Sequence, residues 1–174
     1  MGSGLHHSRN TMADQSRVWI FFVVIAILLG VYVTRDASLG RPAPGFSLLE
    51  SDGGRVDLDS YRGRPVLLVF WTTSCSICQH ELPLLNRMAP EFASQGIAVL
   101  AIHLGGSDEA RDYMASNHID LTSAADPDGE VGRAYHVVGV PRLVLIGSDG
   151  RVKRVSSGWT NPSVLHQWMA KAGS

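Results

Sequence analysis

The sequence has little of several features that would point to common classes of protein. It contains two cysteines among 174 residues, and its formal net charge is −1 with the histidines neutral. It therefore offers no basic surplus for binding nucleic acid and no acidic tail with a solvating role. It also has no repeat period and no low-complexity tract, which argues against a solenoid or a linker protein.

No motif for a nicotinamide or a flavin is present either, so we expect no such cofactor. The chain is instead rich in apolar side chains, since 45% of its residues are hydrophobic, and this is enough for a sizeable core. Its length predicts one domain of ordinary size together with an additional segment.

The additional segment is an uncharged apolar stretch of 17 residues at 18–34, flanked by Arg17 and Arg35. A membrane helix needs roughly 17–25 apolar residues, whereas the apolar region of a signal peptide is shorter and ends in small residues. The stretch ends in "VYVTRD", which offers no such cleavage site. We therefore predict an uncleaved transmembrane signal-anchor at 18–34, in contact with the lipid bilayer. A cleaved signal peptide and a buried core helix are the alternatives.

The rest of the chain divides around this anchor. Residues 1–17 are predicted to be a cytoplasmic tail, residues 35–45 a linker and residues 46–174 one globular domain. Arginines lie on both sides of the anchor, but a short tail ahead of a large domain favours an N-terminus inside the cell. We therefore expect the domain on the periplasmic or extracytoplasmic side of a bacterial cell membrane, where disulfides persist.

Short apolar runs and helical patterns alternate along this domain. The runs at 65–71 and 97–104 are continuous and β-prone, which is typical of buried central strands. A hairpin is predicted over 141–158, and helices over 76–96, 107–118, 126–137 (after an opening turn) and 161–173. Ser107 and Asn161 are the predicted N-caps of two of these helices. The order predicts an α/β fold with a mixed central sheet flanked by helices and the hairpin as its antiparallel edge.

The two cysteines, Cys75 and Cys78, directly follow the first predicted strand and open the first predicted helix. A redox dithiol needs one thiol that ionises easily and a second close enough to attack a mixed disulfide. At a helix N-terminus the unpaired N–H groups and the helix dipole stabilise a thiolate, and the second cysteine lies one turn further on. A C-x-x-C pair in this position therefore favours thiol-disulfide chemistry.

Other interpretations of the pair remain open at this point. A structural zinc site normally needs four ligands, and one C-x-x-C supplies two of them. A copper-binding or copper-delivery module could use the pair with His103 or His136 as a third ligand. A structural disulfide would close only a short loop and would constrain the unfolded chain little. A peroxidase of peroxiredoxin type would need a lone attacking cysteine rather than two neighbouring thiols.

The stretch "VLLVFWTTSCSICQHELP", together with "GVP" at 139–141, resembles the thioredoxin superfamily in its membrane-tethered thiol-disulfide oxidoreductase branch, of the TlpA, ResA and cytochrome c maturation type. The resemblance covers about residues 41–172 and implies a thioredoxin-like fold. The segment "SSGWT" with Trp168 further along is similar to the copper-sensitivity-suppressor D group of that branch. On residue pattern alone, Trp159 and Trp168 are interpreted as packing residues.

The resemblance also implies roles for individual residues. Cys75 matches the attacking thiol and Cys78 the resolving thiol. Pro141 matches the cis-proline of the family, where it and Val140 would offer backbone groups to an extended substrate strand. Trp71 is predicted to lie at the floor of the site and to contribute to substrate binding. The alternative for Pro141 is an ordinary proline at the start of a strand.

Glu81 matches an acid of the ResA-like branch and lies one helical turn after Cys78. If it is buried, its pKa should rise into a range useful for moving a thiol proton. Thioredoxin carries a buried aspartate on the preceding strand, where this chain has Val69. The alternative for Glu81 is a solvated helix carboxylate.

Three departures from the family affect the site: Ser74 in place of tryptophan opens its rim, and Ser76 of the Ser76–Ile77 dipeptide and Arg142 after the proline would each favour the thiolate. The resulting hypothesis is a membrane-anchored enzyme that reduces disulfides of protein substrates, such as those of cytochrome c maturation. With no cofactor and no metal, it would need a membrane electron donor to reduce the cysteine pair again. No nucleic-acid partner is expected.

Overall fold

The computed structural model describes residues 19–27, 36 and 38–172, and the chain divides into two compact units, Met1–Ala37 and Ser38–Ser174. In the first unit, residues 19–27 form helix α1, whose apolar side chains are largely exposed. The predicted tail at 1–17 and the rest of the predicted anchor, residues 18 and 28–34, lie outside the described residues. Within the described part of the chain, no helix is both long and apolar enough to cross a membrane.

The second unit is built on a seven-stranded sheet in the order β2-β1-β5-β4-β3-β6-β7. Its strands are β1 (Ser47–Glu50), β2 (Arg55–Asp57), β3 (Val66–Trp71), β4 (Ala98–His103), β5 (Thr122–Ala125), β6 (Arg142–Ile146) and β7 (Val152–Ser157). Strands β3, β4 and β5 are parallel neighbours, and every other neighbouring pair is antiparallel. This confirms the predicted mixed sheet.

Four helices accompany this sheet, and a 3-10 turn, Leu58–Tyr61, follows β2. The helices are α2 (Ser76–Ser94), α3 (Ser107–Ser116), α4 (Glu130–Ala134) and α5 (Pro162–Met169). Helix α2 continues through Pro83 and Pro90. Helix α5 begins as predicted, with the Asn161 side chain accepting a hydrogen bond from the Ser163 N–H over 2.9 Å.

Strand β3 divides the interior into two apolar cores because successive side chains of a strand point to opposite faces. Leu67, Val69 and Trp71 pack with apolar side chains of α2, α3 and α5. Val66, Leu68 and Phe70 pack on the other face, with side chains from β2, the 3-10 turn and α4. All six residues of β3 are buried, which is why the segment reads as a continuous apolar run.

Two boundaries differ from the sequence-based expectation. Gly106, not Ser107, is the N-cap of α3, in an extended conformation and without a side-chain hydrogen bond. Residues 40–43 were predicted to lie in a linker, yet Gly40 N–H donates to the Val152 carbonyl and Ala43 N–H to the Gly150 carbonyl, at 2.8 and 2.9 Å. The ordered pairing of the domain therefore starts ahead of residue 46.

The sheet also has a second antiparallel edge that the sequence pattern did not indicate. Strands β1 and β2 pair at the end opposite β7, with Leu48 facing Val56 across the ladder. The predicted hairpin of β6 and β7 forms the other edge, next to β3.

Candidate active site

The two cysteines lie where the parallel strand β3 passes into helix α2. Cys75 is the N-cap of α2, and its Sγ accepts a hydrogen bond from the Cys78 N–H over 3.1 Å. A disulfide bond joins the two residues, whose Cα atoms are 5.2 Å apart. A helix N-terminus that directs an N–H at the sulfur stabilises negative charge on it, so Cys75 is placed to ionise once the pair is reduced.

The two sulfur-bearing residues differ in their access to solvent. Cys78 is buried, with 1% of its surface exposed, and it belongs to the core formed by α2, α3 and α5. Cys75 is partly exposed at the edge of that core. An incoming disulfide can therefore reach Cys75 more readily than Cys78.

The loop before β6 lies against the first cysteine. The Val140–Pro141 peptide bond is cis, as the family resemblance implies. The Cys75 Sγ lies 3.6 Å from the Val140 carbonyl oxygen, and the Pro141 carbonyl accepts a hydrogen bond from the Gly158 N–H over 2.8 Å. Val138, two residues before Val140, is 97% exposed. This loop thus presents backbone and apolar surface next to Cys75.

Glu81 is completely buried, so it is not the solvated helix carboxylate of the alternative interpretation. Its Oε1 accepts a hydrogen bond from the Thr160 N–H over 2.9 Å, and its Oε2 has no hydrogen-bond partner in the described part of the chain. Burial raises the pKa of Glu81 to about 7, and the Thr160 hydrogen bonds oppose that rise. A carboxyl group three residues after Cys78 thus exchanges its proton near neutral pH.

The other residues predicted around the site form its floor and sides. Val69 is buried in the core, so β3 supplies no carboxylate. Trp71 has no exposed surface and supports the cysteine segment from within, rather than offering a surface to a substrate. Arg142 is buried, and its Nη1 donates to Ser157 Oγ over 3.1 Å, which ties β6 to β7.

An open apolar groove of about 600 Å³ runs beside the disulfide, lined by Ile77, His80, Leu84, Arg87, Trp159 and Pro162. Ile77, between the two cysteines, is 42% exposed, and Trp159 is 50% exposed. The interpretation of Trp159 as a packing residue is therefore wrong, because the turn after β7 directs it to the surface. Trp168 does pack against the core, as predicted.

Thr160 and this groove were not predicted from the sequence. Thr160 lies 79 positions from Glu81, and it acts through its backbone N–H, which no residue type reveals.

The histidines considered as copper ligands are not assembled with the cysteines. His103 is buried, with its ring centroid 4.7 Å from that of Trp71, and His136 is exposed after α4. Over the residues that the structure describes, no three His, Cys, Asp or Glu side chains lie close enough to share a metal ion.

The chain is similar to known proteins both in sequence and in fold. Residues 39–155 match the model of the AhpC/TSA family. The chain is 34% identical over 133 residues to the thiol-disulfide oxidoreductase ResA of Bacillus subtilis, covering 76% of this chain and 74% of that protein.

Two solved structures share the fold. One is a DsbE-type thiol:disulfide interchange protein from Chlorobium tepidum, with a TM-score of 0.73, 30% identity, and coverage of 79% of this chain and 99% of that one. The other is an exposed lipoprotein thioredoxin from Streptococcus pneumoniae, with a TM-score of 0.67, 25% identity, and coverage of 74% and 99%.

Proposed function

Because the chain belongs to the AhpC/TSA family and is a thiol-disulfide oxidoreductase of the ResA and DsbE type, we propose that it is a membrane-anchored extracytoplasmic enzyme that reduces protein disulfides. The observation that carries this proposal is the Cys75–Cys78 disulfide at the start of α2, beside a cis-proline loop and one turn from a buried carboxyl group.

The first step is attack by Cys75. Its thiolate, capped by the Cys78 N–H, attacks one sulfur of a substrate disulfide. A Cys75–substrate disulfide forms, and the other substrate sulfur leaves as a thiolate that takes a proton from water. The partial exposure of Cys75 supports this assignment, because the buried Cys78 is shielded from a protein-sized partner.

The second step is resolution by Cys78. Its thiol gives its proton to the ionised Glu81 carboxylate, and the resulting thiolate attacks the Sγ of Cys75. The substrate leaves as its second thiolate, reduced by two electrons, and the enzyme is left with the Cys75–Cys78 disulfide. This role is supported by a pKa of about 7 and by Oε2 of Glu81, which no described residue hydrogen-bonds.

The substrate is held beside Cys75 by the loop before β6. An extended strand of the substrate pairs with the backbone of residues 138–140, of which Val138 and Gly139 are exposed, and lies over the Pro141 turn. The apolar groove beside Ile77 and Trp159 accepts side chains next to the substrate cysteine. Such a surface suits unfolded or loosely folded chains, as in cytochrome c maturation.

The direction is reductive, and a membrane protein of the disulfide-reductase type supplies electrons to the oxidised pair. This direction is inferred by analogy with the ResA-like branch that the cysteine motif and the Val140–Pro141 motif resemble. Residues 18–34 form the anchor, with residues 1–17 in the cytoplasm and residues 46–174 outside. The uncharged apolar stretch, flanked by Arg17 and Arg35, supports this arrangement.

One experiment on the full chain tests both parts of the proposal. Membranes from cells that express the chain are washed with alkaline carbonate, reduced, freed of reductant and mixed with insulin. We expect the protein to stay in the membrane pellet and to reduce about one insulin disulfide per chain, as one dithiol allows. Release by carbonate would contradict the anchor, and retention without insulin reduction would contradict the reductase.

A further inference from the structure

A polar cluster under the active site takes no part in the steps above. It contains His103 at the end of β4, Glu109 in the first turn of α3, and Thr73 two residues before Cys75. Strands β3 and β4 are parallel neighbours with Trp71 opposite His103, so the cluster lies at the edge of the sheet from which the cysteine segment leaves.

His103 is the buried member of the cluster. It is 1% exposed, and neither ring nitrogen has a hydrogen-bond partner of acceptable geometry in the described part of the chain. Buried polar groups are rarely left in this state, and each such group needs an explanation. Burial lowers the pKa of His103, against opposing effects of the Glu109 charge and of the Gly106 and Gly105 backbone, so the ring is neutral near neutral pH.

The chain closes tightly around this ring. A Cβ atom on Gly105 would lie 2.6 Å from the His103 Cε1, so only glycine leaves room for the imidazole there. On its other sides, the ring packs on Trp71, and its Nε2 lies 4.0 Å from a carboxylate oxygen of Glu109. His103 therefore fills the space between the floor of the active site and Glu109.

Glu109 connects this packing to the cysteine segment. Its carboxylate accepts a hydrogen bond from the Thr73 hydroxyl, across 36 positions of sequence. The Thr73 carbonyl in turn accepts a hydrogen bond from the Gln79 Nε2 over 2.9 Å. The residues between β3 and α2 are thus fastened to α3 on one side and to α2 on the other.

We propose that Glu109, backed by His103, is a positioning residue that holds Thr73 and so keeps Cys75 in its helix-capping position. Without this hydrogen bond the segment 72–75 loses its side-chain attachment to α3, and the Cys75 sulfur spends less time on the Cys78 N–H. The inference rests on the proposed role of Cys75 as the attacking thiol.

The test measures how fast iodoacetamide alkylates Cys75 in the reduced full chain, as a function of pH, with the modified cysteine identified by mass spectrometry. Glu109→Ala and Thr73→Val should each slow alkylation at pH 7 about three- to tenfold, the loss expected from one hydrogen bond of ordinary strength. Each should also move the midpoint of the thiolate titration upward. The double variant should be no slower than either single variant, because both remove the same hydrogen bond.

Two further variants separate positioning from charge. Glu109→Gln keeps an oxygen that accepts from Thr73, so it should react like the wild type. Asp108→Ala removes an exposed acid from the same helical turn and should change nothing. Unchanged rates in Glu109→Ala, or equal effects of the alanine and glutamine variants, would overturn the proposal. Preferential alkylation of Cys78 in the wild type would instead contradict the proposed function.

Discussion

Replacing Cys75 with serine should lower the rate of insulin reduction by roughly 10³-fold or more, to the uncatalysed background, as expected when a covalent nucleophile is removed. The variant loses the nucleophilic sulfur, and the remaining cysteine lies in a position that cannot replace it. Only Cys75 combines access to solvent with the N–H of a helix N-terminus, so Cys78 cannot take over its role. The measurement is insulin turbidity, with the reduced wild type and the variant at equal concentration.

Cys78→Ser is the matched control, because it also breaks the pair but spares the attacking thiol. This variant should still attack the substrate and should accumulate a Cys75–substrate disulfide, which is visible as a higher-mass band on a non-reducing gel. Substantial turnover by Cys75→Ser, or trapping by that variant instead of by Cys78→Ser, would reverse the assigned roles.

Glu81→Gln should slow release of the reduced substrate by about 10²-fold, within the usual contribution of a general base. The pKa of Glu81 is raised to about 7, so about half of the carboxyl groups are ionised at pH 7 and about 90% are ionised one pH unit above it. The rate of release in the wild type should therefore increase through pH 7 and then level off. The glutamine variant should lack this step, because an amide cannot accept the Cys78 proton.

The measurement is single-turnover release from a preformed Cys75–substrate disulfide between about pH 5 and pH 9, a range that brackets the titration. Glu91→Gln, an exposed carboxylate on the same helix, is the control and should behave like the wild type. The same pH dependence in the wild type and in Glu81→Gln would exclude Glu81 as the proton acceptor.

If Glu81→Gln releases the substrate slowly, loss of folding would not be the cause. The folded-state pKa of Glu81 lies above its unfolded value of 4.5, so the folded protein binds the extra proton between about pH 4.5 and pH 7. The protonated Glu81 therefore contributes to the free energy of unfolding in full below about pH 4.5, and this contribution is lost as the pH rises through about 7. Glu81→Gln imitates the protonated form, so at pH 8 it should be at least as stable as the wild type.

The parts of the site that were predictable from sequence are those fixed by local pattern. A buried strand that reads as six continuous apolar residues, followed after three residues by C-x-x-C and a helical pattern, places Cys75 at a helix N-terminus. Asn161 followed by Pro162 likewise fixes the start of α5 through short-range hydrogen bonding. The sequence did not predict whether Glu81 is buried. Its position one helical turn after Cys78 places both residues on the same face of the helix, but it does not show how deeply that face is buried.

The parts that were not predictable depend on contacts between distant segments. The hydrogen bond that Thr160 gives to Glu81 uses a backbone group, and backbone groups carry no residue signature. The "DGG" at 52–54 predicted a turn, but strand β2 has only three residues, too few for a period-two pattern, so its pairing with β1 was not predicted. Trp159 reads as a core residue by its size, but the turn at Gly158, with φ at +77°, directs the chain outward.

The most direct test of the central claim is the equilibrium reduction potential of the Cys75–Cys78 pair, measured against glutathione in the full chain. A pair that passes electrons to substrate disulfides should have a potential close to that of thioredoxin, about −270 mV. A potential near −120 mV, roughly that of the strong oxidant DsbA, would mean that the reduced form is the stabilised one. It would reverse the proposed direction of electron flow and contradict the account.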